Sequence, residues 1–307
     1  MSDFQTRDYP ESGPLTLAAN ITLYGGTKAL MEGDVASDLV SFDFAGLKNA
    51  HAGFKDMLRR GKFDVSEMAV ATLLQARAYG KPFSLLPAVV LGRFQHHCIG
   101  FNTDVHPDLK PADLAGKRVA VRSYTQTTGL WVRGILQNEY GVDPDSVTWV
   151  CFDQPHLAEY TDPPSVEWGE AGKDPVQMLL DGEVDAAILG MNMPRDARIK
   201  PLVTDPHRAA NAWHSRVNLV PPNHYIVVPD ALIEARPDVV REVYRMLKDS
   251  RDRLALPDDG IDPMPFGIEA NRAALACAAD YALQQHMITT PIAVDDLFHP
   301  LVRAFAR

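Results

Sequence analysis

Leu114-Ala-Gly-Lys-Arg-Val-Ala-Val-Arg-Ser-Tyr-Thr-Gln-Thr-Thr-Gly129 is the stretch that decides the fold. Arg118 to Val121 reads as a short strand, Arg122 to Thr125 as a loop, and Gln126 to Tyr140 as a helix. A strand that hands over to a helix within a few residues is the start of a βα unit. The pattern continues outward. Val147 to Phe152 is the next strand, Pro175 to Asp181 a helix and Val184 to Leu189 a buried strand. Gln154 to Lys173, rich in Pro, Gly and acids, reads as a loop or lid.

Upstream, strands are expected at Leu15 to Tyr24, Val40 to Phe44, Phe63 to Met68, Leu85 to Leu91 and His97 to Asn102. Helices are expected from Thr27 towards Met31, over Ala52 to Arg60 with Gly61 as its stop, and over Ala69 to Tyr79. Downstream, His224 to Val228 is a strand ended by Pro229. Helices follow at Ala231 to Glu234, Asp238 to Leu254 and Ala270 to His286. This order predicts an α/β protein of two lobes. Residues 1–98 and 229–307 form one lobe, and residues 99–228 form a second lobe inserted into it. A ligand would sit in the cleft between them, where strand ends and helix N-termini point.

The 307 residues suit two such lobes, and the hydrophobic share of 46% suffices for ordinary cores. A formal net charge of -10 gives no electrostatic reason to expect nucleic acid or an anionic membrane as a partner, so an anion site must be built from local cations. Cys98, Cys151 and Cys277 lack metal-type spacing and read as buried thiols of a reducing compartment. Met1 to Pro14 is polar, with no basic start and apolar run, and no stretch is apolar enough to span a membrane. A cytoplasmic protein is therefore expected. Exposed apolar surface on the C-terminal helices could support a homo-oligomer.

Four places carry residues suited to chemistry. The junction Arg122-Ser123-Tyr124-Thr125-Gln126-Thr127-Thr128 offers hydroxyls, an arginine and the free N–H groups of a helix start. That set suits a carboxylate, although Thr125 or Thr127 could simply cap the helix. Arg93-Phe-Gln-His96-His97 pairs an arginine with two histidines, residues that exchange protons near neutral pH. In an extended stretch the two rings would face opposite ways, so only one would reach the cleft. Pro221-Pro-Asn-His224 places a further histidine at a second crossing, where it could meet His96 or His97. Glu67 follows Ser66 at the carboxyl end of a short strand, where it serves either a ligand or the surface. Three histidines could also converge on a divalent metal, since ligands need not be close in sequence. Walker, GxGxxG, GxSxG, HExxH and CxxC patterns are absent from the sequence.

An ordered set of stretches resembles the 4,5-dihydroxyphthalate decarboxylase family. It includes Met57-Leu-Arg-Arg-Gly-Lys-Phe-Asp-Val-Ser-Glu-Met68, Phe94 with His96 and Asn102, and Gly116-Lys-Arg-Val-Ala-Val121. Tyr124 with Thr127, Trp131-Val-Arg-Gly-Ile-Leu136, Asp181-Gly-Glu-Val-Asp-Ala186, His224 and Pro265-Phe-Gly-Ile-Glu-Ala-Asn-Arg272 extend it over nearly the whole chain. The resemblance implies a type II periplasmic-binding-protein-like fold, conversion of 4,5-dihydroxyphthalate to protocatechuate and CO2, and a place in phthalate catabolism. The chain departs from the family pattern at Gln95 and His97, at Arg122-Ser123 and at Gly190-Met-Asn-Met193. These departures leave the exact aromatic acid open.

Such chemistry uses the ring itself as electron sink and requires neither pyridoxal phosphate nor thiamine diphosphate. The expected ligand is a small aromatic carboxylate. His96 or His97 would be the proton donor, with His224 nearby and Glu67 as orienting base. Arg93, Arg122, Ser123, Tyr124, Thr127, Thr128 and Asn192 would hold the substrate. A non-catalytic binding protein for an aromatic acid or other small anion fits the same fold, as does another lyase.

Overall fold

A computed structural model describes residues 7–191 and 193–306. The chain opens with β1 (Leu15–Asn20), α1 (Lys28–Met31), β2 (Val40–Phe44), α2 (Phe54–Arg60), β3 (Val65–Ala69), α3 (Val70–Ala78) and β4 (Phe83–Gly92). Gly61 ends α2 in the left-handed region, at a φ of 62°, where glycine carries no Cβ penalty. The next elements are β5 (Ile99–Asn102), β6 (Arg118–Val121), α4 (Thr127–Tyr140), β7 (Thr148–Cys151), β8 (Val166–Trp168), α5 (Pro175–Leu180), β9 (Ala186–Ile188), β10 (Ile199–Pro201) and α6 (Pro206–Val217). The chain returns through β11 (Pro222–Pro229) to α7 (Asp230–Ala235), α8 (Pro237–Asp252), α9 (Ile268–Gln284) and α10 (Pro300–Phe305).

Two sheets result, in the orders β2-β1-β3-β11-β4 and β10-β5-β9-β6-β7-β8. In the first, β1 runs parallel to β2 and β3, while β11 is antiparallel to both β3 and β4. In the second, β9, β6, β7 and β8 are parallel, β5 pairs antiparallel with β9, and β10 pairs antiparallel with β5 at the edge. β3 is buried along its whole length, as expected of a strand covered on both faces. This is the two-lobed α/β architecture the alternation of elements predicts.

Some expectations need correction. The return to the first lobe comes before residue 229. β11 pairs Ile226 with Glu67 and Val227 with Ser66, so the whole strand from Pro222 belongs to the first sheet. Its run of buried apolar residues resembles a strand of either lobe, and only the pairing decides. The segment from Gln154 to Lys173 is not wholly irregular, because β8 pairs there with β7 at the sheet edge. β10 (3 residues) is too short and α6 too polar, with only Ala210 and Trp213 buried, to stand out in the sequence.

The two crossings lie side by side. Gln95 donates to the Asn223 side chain at 2.9 Å and to the Arg93 carbonyl at 3.1 Å. The lobes also touch at the loop after β7, where Arg59 of α2 holds the carbonyls of His156 and Pro155 at 2.9 and 3.2 Å. No described helix is long and apolar enough to cross a membrane.

Candidate active site

Between the lobes lies a cavity of about 530 Å³, a size suited to a one-ring ligand. The first lobe lines it with Tyr24, His51, Phe54, Arg93, Asn223 and His224. The second contributes Arg122, the run from Thr125 to Thr128, His156, Val176 and Leu189. A smaller annex of about 200 Å³ adjoins it, bounded by His51, Lys55, Arg122, Ser123, Asp153 and His156.

The helix starts explain the anion-friendly character of the cavity. The residue before α4, Gln126, forms no side-chain cap, so the donors of the first turn are not covered by a side chain. The residue before α3, Ala69, forms none either. The Thr127 hydroxyl instead accepts from the Ala71 N–H at 3.2 Å, which ties the two helix starts together at the cavity. Both helix dipoles therefore present their positive ends there.

Two guanidinium groups add full charges. Arg93 donates weakly to the Thr128 hydroxyl at 3.4 Å, and its Nε is buried without a partner among the described residues. Arg122 reaches His51 Nε2 from Nη1 at 2.9 Å, and its Nε has no hydrogen-bond partner among the described residues. That Nε lies 3.7 Å from the largely exposed carboxylate of Asp153, a loose ion pair. Burial lowers the Arg122 pKa from its ordinary value, with Asp153 opposing.

The most deeply set acid is Glu67. It lies within β3, fully buried, rather than at the surface. Its carboxylate holds His224 Nδ1 at 2.5 Å, accepts from the Tyr24 hydroxyl at 2.8 Å and accepts from the Thr22 N–H at 2.9 Å. Burial alone would raise its pKa, but His224, Thr22 and Tyr24 together hold it below the ordinary carboxylate value. Strand pairing sets up this contact. Glu67 and His224 stand on adjacent strands, with Glu67 opposite Ile226 and His224 opposite Ala69. The same pairing raises the Tyr24 pKa through burial and the Glu67 charge.

Three aromatic groups close the pocket around His224. Phe54 meets His224 edge-on, with ring centroids 5.4 Å apart, and His156 at 5.6 Å. His156 also lies 5.5 Å from His51. Burial, then His51 and Arg122, lower the His156 pKa to about 3, and its Nδ1 meets the Thr72 hydroxyl at 2.8 Å. Burial and the Arg122 charge lower that of His51 to about 4. Both rings are therefore neutral near pH 7.

The sequence-derived candidates divide into groups. Arg93, Arg122, Thr127, Thr128 and His224 line the cavity, with Glu67 directly behind His224. Ser123 lines the annex, where its hydroxyl contacts that of Thr125 at 3.3 Å. Tyr124 does not reach the cleft. Its side chain is buried, donates to the Gln285 carbonyl at 3.1 Å and stacks under Arg133, whose guanidinium carbon is 4.0 Å from the ring. Asn192 lies outside the described residues.

His96 and His97 are corrections. Neither lines the cavity. The stretch is not extended, because a turn closed by Cys98 N–H to the Gln95 carbonyl at 3.0 Å swings both rings away. His96 is buried edge-on to Trp213, at 5.7 Å, and burial lowers its pKa to about 4. His97 contacts the Met191 sulfur at 3.3 Å. His224 meets Glu67 rather than either of them. The three histidines do not converge, and among the described residues no group of three or more His, Cys, Asp or Glu side chains is placed to hold a metal ion. His51, His156, Tyr24 and Asn223 were missed. His51 stands in a short 3-10 turn and His156 in a loop, without any motif around them.

With this geometry in hand, known proteins add a frame. No protein-family profile matches the chain. A 4,5-dihydroxyphthalate decarboxylase of Comamonas testosteroni is 30% identical over 236 residues, covering 73% of this chain and 71% of that protein. One from Pseudomonas putida is 27% identical over 213 residues, covering 65% of this chain and 81% of that protein. Among solved structures, the alkanesulfonate-binding protein SsuA from Xanthomonas axonopodis pv. citri matches with a TM-score of 0.60 at 14% identity, over 94% of this chain and 99% of that one. The desulfurization enzyme DszB matches with a TM-score of 0.52 at 16% identity, over 94% of this chain and 98% of that one. These likenesses establish the fold, that of SsuA-type periplasmic binding proteins. By its identity to the Comamonas protein over most of both chains, this chain belongs to the 4,5-dihydroxyphthalate decarboxylase family.

Proposed function

We propose that this protein is a decarboxylase that removes one carboxylate from a hydroxylated aromatic acid held in the interlobe cavity, with 4,5-dihydroxyphthalate as the leading substrate. The observation that carries this is the buried Glu67 carboxylate gripping His224 Nδ1 at 2.5 Å beside a cavity lined by Arg93 and Arg122. The pair supplies a proton carrier, and the arginines supply counter-charge for carboxylates.

In this mechanism Glu67 accepts from His224 Nδ1–H and fixes the orientation of the ring, so that the imidazolium form presents Nε2–H to the substrate as the proton to be given. The ring hydroxyl para to the departing carboxylate pushes electrons into the ring. His224 delivers a proton to the carbon bearing that carboxylate, giving a dearomatised intermediate. The bond to the carboxylate then breaks and CO2 leaves. Its electron pair restores the aromatic ring, with a hydrogen where the carboxylate stood. Phe54, Leu91 and Leu189 give the ring an apolar bed, and closure of the lobes would exclude water. Neutral His51 and His156 are donors suited to the developing phenolate oxygen.

A second reading is favoured by the fold shared with the Xanthomonas binding protein: an aromatic acid is trapped and not transformed. The two separate in one assay. The purified protein is given a panel of dihydroxyphthalates and dihydroxybenzoates, with CO2 and ring products followed. The decarboxylase reading expects CO2 and protocatechuate from 4,5-dihydroxyphthalate. Tight binding across the panel with no CO2 from any member would establish the binding reading instead.

A further inference from the structure

Successive side chains of a strand point to opposite faces. Asn223 and His224 nevertheless both line the cavity. A bulge explains it. Pro222 pairs with Gly92 and His224 with Leu91, so Asn223 is an extra residue without a counterpart in β4, and the local kink re-aims its side chain. Asn223 is otherwise buried, with 3% of its surface exposed.

Which end of its amide faces the cavity follows from a neighbour. Gln95 is fully buried and does not line the cavity. A backbone carbonyl only accepts, so the end of Gln95 that meets the Arg93 carbonyl at 3.1 Å is its NH2 group. The other end accepts from the Cys98 thiol at 3.4 Å. The NH2 group also meets Asn223 at 2.9 Å, and the atom that receives its second N–H is Oδ1. Nδ2 is the end left over, and among the described residues no protein group accepts from it. A bulge and a buried glutamine thus deliver one neutral N–H donor to the cavity, one residue before His224.

We propose that Asn223 contacts the substrate, donating from Nδ2 to an oxygen of the carboxylate on the carbon that His224 protonates, and that Gln95 is a positioning residue that fixes the direction of the Asn223 amide. This rests on the reading of the site as a decarboxylase of ring acids, and adds to it the donor that orients the departing group. His224 must reach the carbon bearing that carboxylate, which brings the carboxylate oxygens next to Asn223. A neutral donor suits the place. The carboxylate gives up its charge to the ring as CO2 forms, so a cation there would hold the starting state more than the transition state.

Calorimetry at pH 7.5 tests this with phthalate, a ring acid that lacks the para hydroxyl and so is bound without turnover. Asn223→Ala should weaken phthalate binding by about tenfold or more, the value of one hydrogen bond to a charged group. Gln95→Met keeps the length of the side chain but cannot aim the amide, and should weaken binding by roughly threefold to fivefold. In the Asn223→Ala background the same change should cost less than about twofold, because Gln95 acts through Asn223. Phthalate affinity unmoved by Asn223→Ala would overturn the proposal. So would an equal loss from Gln95→Met in both backgrounds, which would make Gln95 a support of the crossings only. Should the variants fail to fold, side-chain amide spectra of nitrogen-15-labelled wild type decide. A shift of the Asn223 Nδ2 protons on adding phthalate, with those of Gln95 in place, supports the proposal, and unmoved Asn223 protons refute it. Weakened binding in Asn223→Ala with no CO2 from any ring acid would sink the decarboxylase reading and leave both residues their roles at the ligand. CO2 release with phthalate binding unmoved by Asn223→Ala would sink the roles of Asn223 and Gln95 alone.

Discussion

At the scale of single residues, the site turns on a buried carboxylate that is useful only because it is paired. Glu67 is fully buried, and its charge is compensated by three donors. Glu67→Gln keeps size and hydrogen bonding but removes the charge and the tautomer preference imposed on His224. CO2 release should fall by about 100-fold or more, as for loss of a general acid–base partner, with substrate affinity changed little. Steady-state kinetics and direct binding check this. A variant with unchanged turnover would remove Glu67 from the mechanism. Tyr24→Phe is milder, because Glu67 keeps two of its three donors. A reduction of about tenfold is expected in the same assay, in line with loss of one hydrogen bond to a charged group.

At the scale of elements, close packing of one helix on another holds a wall of the cavity. α4 carries one wall at its N-terminus and packs on α9 through Gly134, where an added Cβ would stand 1.9 Å from the Tyr281 ring. Gly134→Ala should destabilise the fold by about 2 kcal/mol through overpacking, despite alanine's better helix propensity. Urea titration measures this, and a gain in stability would contradict the packing described. Much at this scale was legible in the sequence. The strand-to-helix switch at Arg122 to Thr128 was visible because a polar, hydroxyl-rich loop sits between a buried strand and a periodic helix. His224 was visible because two prolines frame the start of its strand.

The His96–His97 pair misled for a local reason. An apolar run beginning at Cys98 makes the preceding residues resemble the strand itself. The turn that removes them depends on Gln95 and Cys98 and on the bond from Gln95 to Asn223, a residue distant in sequence. His51 and His156 were hidden for another reason. Their approach comes from docking of the loop after β7 onto the first lobe through Arg59 and Thr72, which no local pattern encodes.

At the scale of the whole molecule, burial of neutral histidines links stability to pH. His51 and His96 titrate at about 4 and His156 at about 3 in the folded protein, against about 6.5 in the unfolded chain. As pH falls below about 6.5 the unfolded chain takes up protons that the native state does not. Stability should therefore decline steadily from pH 6.5 towards pH 4. Glu67, also depressed, adds to the loss only at the acid end, once pH approaches the ordinary carboxylate range. The urea midpoint at pH 7, 6 and 5 reads this directly, and a midpoint constant over that range would contradict the neutral state of these rings.

The central claim is proton delivery from His224 to a ring carbon, with loss of CO2, in the cavity between the lobes. The most direct test turns over 4,5-dihydroxyphthalate in heavy water, using wild-type protein and His224→Asn side by side. The wild type should release one CO2 per substrate and yield protocatechuate with one deuterium at the vacated carbon, while His224→Asn binds the acid and releases almost none. Wild-type protein that binds the acid without releasing CO2, or a His224→Asn variant that turns over as fast as the wild type, would contradict it.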